Sequence, residues 1–255
     1  KRTMENKKKK RYGIIAALLL LVLAAGVGTY AWLTATQSLE NVFTVGSFGP
    51  TDKKPDPTDP EKPGDQTNDG KAYLFETKWV ENSKIVPGTT TDKNPNVGIK
   101  KGSDDAFVFI YVKNAIVKTG AENALNKTPY FTLNTTNWKP VEDAAVGAKT
   151  NGNEGQYVSG LFMYAKGATS GPAVLSAKAA IEDVYTGELF SQVMIPGAMT
   201  SEDVVSGQDG AGKKIEPKIV VSAYIFGADQ KGNETDAAAN ALKQAKEWAK
   251  TQAQA

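Results

Sequence analysis

Residues 106–112, AFVFIYV, form an unbroken apolar run that is short, aromatic and β-branched. A run of that kind reads as a strand rather than a helix. Alternate side chains of a strand point to opposite faces, and here both sets are apolar, so both faces must be covered. Val108, Ile110 and Val112 are assigned to one layer, Phe107, Phe109 and Tyr111 to the other. Segments 71–80 (KAYLFETKWV), 129–138 (PYFTLNTTNW), 155–165 (GQYVSGLFMYA), 187–195 (GELFSQVMI) and 218–226 (KIVVSAYIF) are further strand candidates. Turn-rich stretches such as IVPGTT, KTGAEN, NGNEG and TSGPA punctuate them. Strands separated by loops, with no regular helices between, predict an all-β fold, a jelly-roll-like β-sandwich. Two helices are expected beside it. A short one follows Thr200 or Ser201 as cap and runs to Val205, with Glu202 and Asp203 at its positive end. The other is C-terminal, TDAAANALKQAKEWAKTQAQ, with Thr235 as N-cap. Leu242, Ala245, Trp248 and Ala249 share one of its faces, which predicts docking through Trp248.

The chemistry open to the chain is narrow. Of 255 residues none is cysteine and none is histidine. That removes disulfides, thiolate and imidazole metal sites, the cysteine nucleophile and the Ser-His-Asp triad. The expectation is a protein that is not an enzyme and takes no cofactor and no metal. Asp52, Asp56, Asp59, Asp65 and Asp69 lack the spacing of a calcium loop and read as solvated. Asp104-Asp105 follows Gly102-Ser103 and reads as a turn before a strand rather than a carboxylate dyad. Lys100-Lys101 and Lys213-Lys214 read as solvated strand ends that discourage stray edge pairing. Trp79 and Trp138 read as core. Lys–Asn cross-links occur in some surface fibres, but lysines and asparagines are too numerous here for the sequence to nominate a pair.

Charge is unevenly placed. Residues 1–31 hold seven of the 30 basic residues and one of the 28 acidic ones, leaving 23 against 27 in the rest, a net of −4. A mildly acidic body carries no nucleic-acid footprint. The basic stretch KKKKRYG is followed by a twelve-residue apolar run, Ile14 to Ala25, within the length of a secretory signal and short of a bilayer span. Gly26, Gly28 and Thr29 then interrupt it, and Thr29-Tyr30-Ala31 offers small residues at the −3 and −1 positions of a cleavage site. Cleavage after Ala31 would leave Trp32 as the first residue. The alternative is a retained anchor over Ile14 to Leu33.

The remainder divides into three parts: 32–48, 49–70 and a folded domain over 71–255. Residues 49–70 contain five Pro, five Asp and no hydrophobic residue. Nothing in them can be buried to offset chain entropy, so they read as a disordered, extended linker. Residues 32–48 carry Leu39, Val42, Phe43, Val45 and Phe48, with Phe43 and Val45 at strand spacing.

The junction GTYAWLTATQSLENVFTVGSF resembles the start of proteins that carry the SipW-type signal. The matching residues are Thr29, Tyr30, Ala31, Trp32, Asn41, Phe43, Thr44 and Gly46. Pro87, Gly88 and Lys93 match a downstream Pro-Gly element, AFVFIYVKN the strand after it, TGELFSQVMIPGAMTSEDV a Leu-Phe/Ile-Pro element, and KIVVSAYIFGADQ the penultimate strand. On these residues the chain resembles the TasA/camelysin group. The resemblance implies a secreted jelly-roll subunit of the biofilm matrix of Gram-positive bacteria, processed by an ER-type signal peptidase, that polymerises by inserting its freed N-terminal strand into the next copy. Its partners would be other copies of itself and other matrix proteins. Relatives described as metallopeptidases need a zinc-binding helix, and no histidine is present to build one. The chain departs from the group in its 22-residue linker.

Physics supports strand donation without deciding its direction. An unpaired sheet edge recruits a strand, and alternate side chains of that strand give specificity. Leu39–Phe48 is short, apolar and free of proline. The linker spans at most about 70 Å extended and about 25 Å as a flexible coil, so it reaches a neighbour or its own domain. Donation in trans, self-complementation in cis and a free tail all remain open, and a head-to-tail contact that does not close gives filaments. The competing function is a monomeric cell-surface adhesin or carbohydrate-binding sandwich, with Tyr and Trp lining a ligand face. N-terminal sequencing of the exported protein is expected to begin at Trp32; an intact first segment would establish the anchor.

Overall fold

The computed structural model describes residues 35–44, 47–48, 72–78, 85–118, 120, 123–142, 147–228 and 234–254. The expected signal segment with Ala31 and Trp32, the linker 49–70, Val45 and Trp79 lie outside the described residues. In chain order the strands are β1 (Ala35–Thr44), β2 (Ser47–Phe48), β3 (Ala72–Phe75), β4 (Thr90–Asp92), β5 (Asn96–Ile99), β6 (Ala106–Ala115) and β7 (Tyr130–Thr132). They continue with β8 (Trp138–Pro140), β9 (Lys149–Thr150), β10 (Gln156–Tyr164), β11 (Val174–Leu175), β12 (Val184–Tyr185), β13 (Gln192–Met194) and β14 (Lys218–Gly227). One α-helix, α1 (Glu234–Gln254), follows among the described residues.

The larger sheet runs β2-β1-β14-β6-β10-β7-β13-β4, with β11 joined to β6 and with β8 and β9 joined to β10. A smaller sheet runs β12-β5-β3. The apolar strand read from the sequence is β6, and it is central, between β14 and β10. Its two faces divide as its alternation requires. Val108, Ile110 and Val112 join Leu74, Val97 and Ile99 of the small sheet in the sandwich core. Phe107, Phe109 and Tyr111 pack with Leu161, Tyr224 and Phe226 under α1. The molecule is therefore a mostly β sandwich with a helix on the outer face of its larger sheet.

At one end of the core Phe131 stacks on Phe190 at 4.1 Å between ring centroids and meets Phe162 edge-on at 5.6 Å. Trp138 is fully buried, as expected of a core residue, and its indole N–H donates to the Gly187 carbonyl at 3.1 Å. Each such ring contributes roughly 1.5–3 kcal/mol by leaving water.

Four expectations are corrected. The helix over 201–205 does not form. The Asp203 carboxylate accepts both the N–H and the hydroxyl of Thr200 at 2.8 Å, closing a single turn, and the chain passes at once into the bridge between Val204 and Val117. The same capping chemistry serves a turn as well as a helix, and burial of Val204 pulls the chain away. The 129–138 segment is two short strands, β7 and β8, separated by a turn at Asn134–Asn137. The 187–195 strand is only Gln192–Met194, because Leu189 and Phe190 leave the ladder to fill the core. The C-terminal helix begins at Glu234, so Thr235 lies within it rather than capping it. That helix docks through a ridge of Ala237, Ala241, Ala245 and Ala249, and Trp248 stands beside the ridge, stacked on Tyr224 at 5.3 Å. Small side chains let the helix approach a sheet face already filled by large rings. A 3-10 turn, Leu125–Lys127, appears among the described residues.

Two outcomes follow from local geometry. Gly160 in β10 holds φ at +131°, and a Cβ there would lie 2.2 Å from the Ala148 Cα. Gly160→Ala is expected to lower stability by at least about 2 kcal/mol in chemical denaturation, because strain and a backbone clash combine. The Thr200 backbone and hydroxyl bonds, then Lys127, hold the Asp203 carboxyl below its ordinary value of 3.8. A carboxyl depressed in the folded state stabilises above its unfolded pKa and loses that contribution as pH falls through the folded one. An NMR titration is expected to find the Asp203 midpoint below 3.8, and to find it raised but still displaced in Thr200→Val, which removes the hydroxyl bond and keeps the backbone N–H and Lys127.

Candidate functional site

β14 reads KIVVSAYIFG, and neither of its faces meets water freely. Ile219, Val221, Ala223 and Ile225 lie in the sandwich core, and Tyr224 and Phe226 lie under α1. One of its edges is paired with β6 along the whole strand, from Lys218 opposite Ala115 to Gly227 opposite Ala106. The other edge carries β1, antiparallel, from Ala35 opposite Ile225 to Val42 opposite Lys218. Covered faces make an uncovered edge costly, since backbone N–H and C=O groups flanked by apolar side chains have few other partners. The site is therefore a slot along β14 that demands a strand.

The single chain fills that slot with its own N-terminal segment. Leu39 stands opposite Val221 and Val42 opposite Lys218. Phe43 does not reach β14: it pairs with Phe48, and Thr44 with Ser47, in a hairpin between β1 and β2. The ladder thus uses Ala35–Val42 rather than the expected Leu39–Phe48. Residues 35–38, ATQS, were missed because they carry no hydrophobic period, and a backbone ladder needs none. β1 also runs close to β3, the first described strand after the linker stretch.

A second group of residues ties the chain down just after β3. Glu76 follows β3 and Lys93 follows β4, and Lys93 Nζ lies 2.7 Å from Glu76 Oε1 with both side chains 0% exposed. Burial pushes the Lys93 ammonium pKa down, against the pull of the Glu76 carboxylate. Asn94 Oδ1 accepts the backbone N–H groups of Thr77 at 3.0 Å and Lys78 at 2.7 Å, and Asn94 Nδ2 donates to Thr77 Oγ1 at 3.0 Å. Lys78 Nζ meets Glu188 Oε2 at 3.0 Å, and the Lys93 N–H donates to the Ser191 carbonyl at 3.0 Å. No sequence signal marked Glu76, because a carboxylate between Phe75 and Thr77 reads as a solvated strand end.

The remaining candidates keep structural roles. Asp105 Oδ1 accepts the N–H groups of Ala177 at 2.8 Å and Lys178 at 2.9 Å, which anchors the turn before β6. The linker acids lie outside the described residues. Among the described residues no group of three or more metal-ligating side chains comes together and no helix is long and apolar enough to cross a membrane, while Tyr111, Tyr130, Tyr157, Tyr185 and Trp248 are half-buried. No family model, no curated protein and no solved structure matches the chain.

Proposed function

We propose that this chain is an exported structural subunit of extracellular matrix fibres, of the TasA/camelysin kind. In the fibre, β1 of one copy lies on β14 of the next. The observation that carries the reading is the β1–β14 ladder, made by a segment joined to the body through 22 residues without a hydrophobic side chain. A ladder closed in cis through such a tether is closed in trans by the same hydrogen bonds in the same register. Strand exchange between identical copies is a low-cost route to association, and a head-to-tail exchange does not close on itself. The balance between the two forms is set by the tether's effective concentration, in the millimolar range for short flexible linkers. Crowded release at the cell surface shifts it toward the polymer.

On this reading Ala31 and Trp32 flank the cut by an ER-type signal peptidase, the jelly-roll-like sandwich is the repeating body, and the product is secreted. Leu39 and Val42 meet the host strand, while Phe43 and Phe48 pair in the hairpin that turns the chain back. Partners are further copies and other matrix proteins. A second reading, a monomeric surface adhesin or carbohydrate-binding sandwich, is favoured by the cis ladder of the single chain.

Deletion of residues 32–48 from the mature chain is expected to abolish fibres in electron micrographs. Mixed with the complete mature chain, the deleted form is expected to shorten fibres, since it accepts a strand and donates none. Undiminished fibres from the deletion, or a complete mature chain that elutes as a monomer at millimolar concentration, would overturn the reading.

A further inference from the structure

We propose that Lys93 and Glu76 are a site of covalent self-modification, in which the lysine amine condenses with the glutamate carboxyl to an isopeptide bond and releases water. Nζ and Oε1 already stand 2.7 Å apart, and water reaches neither side chain. Two opposite charges held this way each cost several kcal/mol of lost hydration. Passing one proton from the ammonium to the carboxylate relieves both charges and leaves the two groups an amide needs, a neutral amine and a carboxylic acid. Burial acts on Lys93 in that direction. The Nζ lone pair then adds to the Glu76 carboxyl carbon. One C–O bond breaks, the departing hydroxyl takes a proton from nitrogen and leaves as water, and the C–N bond remains. Nothing is oxidised or reduced, and no co-reactant is required.

Fixed proximity raises the rate and the yield together. Well-oriented intramolecular reactions reach effective molarities of about 10⁵ M or more, and a dry site starves the reverse hydrolysis. The surroundings hold the pair still. Phe75 on one side and Asn94 on the other are buried, and Asn94 fastens Thr77 and Lys78 in place. The position of the bond also has a mechanical consequence, which rests on the fibre reading. Tension on a donated β1 would enter the body through the linker at β3. A covalent link just beyond β3 keeps that strand from peeling away from β5, its partner in the small sheet.

The test is a peptide map of the purified, denatured full-length chain by mass spectrometry. The peptides containing Glu76 and Lys93 are expected to appear joined, with a combined mass one water below their sum, and Lys93→Arg is expected to release them as separate peptides. Separate peptides of full mass from the unmodified sequence, or a joined species that persists in Lys93→Arg, would overturn the proposal. The joined peptide is expected unchanged in the chain lacking residues 32–48, so failure of the cross-link and failure of the fibre reading are told apart.

Discussion

The antiparallel ladder between β6 and β14 is the constraint from which the rest of the molecule follows. Both strands are apolar on both faces, so each face requires a cover. The small sheet β12-β5-β3 supplies one and α1 supplies the other. A ladder so covered exposes only its edges. β6 is closed by β10, and β14 is left with an edge that a further strand must satisfy. The need for β1 is thus a consequence of how well the faces of β14 are buried.

Two neighbouring features meet that need in different ways. Backbone hydrogen bonds hold β1 on β14, and such bonds are indifferent to which copy provides the strand. Side chains hold the segment after β3, through Lys93–Glu76 and the bonds of Asn94, and those fit only their own partners. The first arrangement is exchangeable and the second is not. The proposed fibre reading rests on that combination, with one strand able to leave and a body that stays closed when it is pulled.

Much of the fold was legible in the residues. The alternation of β6 assigned Val108, Ile110 and Val112 to one layer and Phe107, Phe109 and Tyr111 to the other, and the packing follows that division. Trp138 in the core, the turn at Asp105 and the C-terminal helix were equally visible. Local signals failed where tertiary burial outbid them. Thr200 and Asp203 cap a turn rather than a helix because Val204 is drawn into the core, and Phe190 leaves its strand to stack on Phe131. At the site, Leu39 and Val42 were found by their hydrophobicity, whereas Ala35 to Ser38 were not, since pairing through the backbone leaves no trace in side-chain type.

The sequence alone determined the two-sided central strand and the absence of cysteine and histidine chemistry. Each of these depends on composition or on a period within one short segment. Tertiary structure alone decided that β1 lies on β14, that Phe43 turns away into a hairpin, and that Glu76 meets Lys93. These are meetings between segments distant along the chain. Residue types allow many such encounters, and only the burial of everything around them selects one.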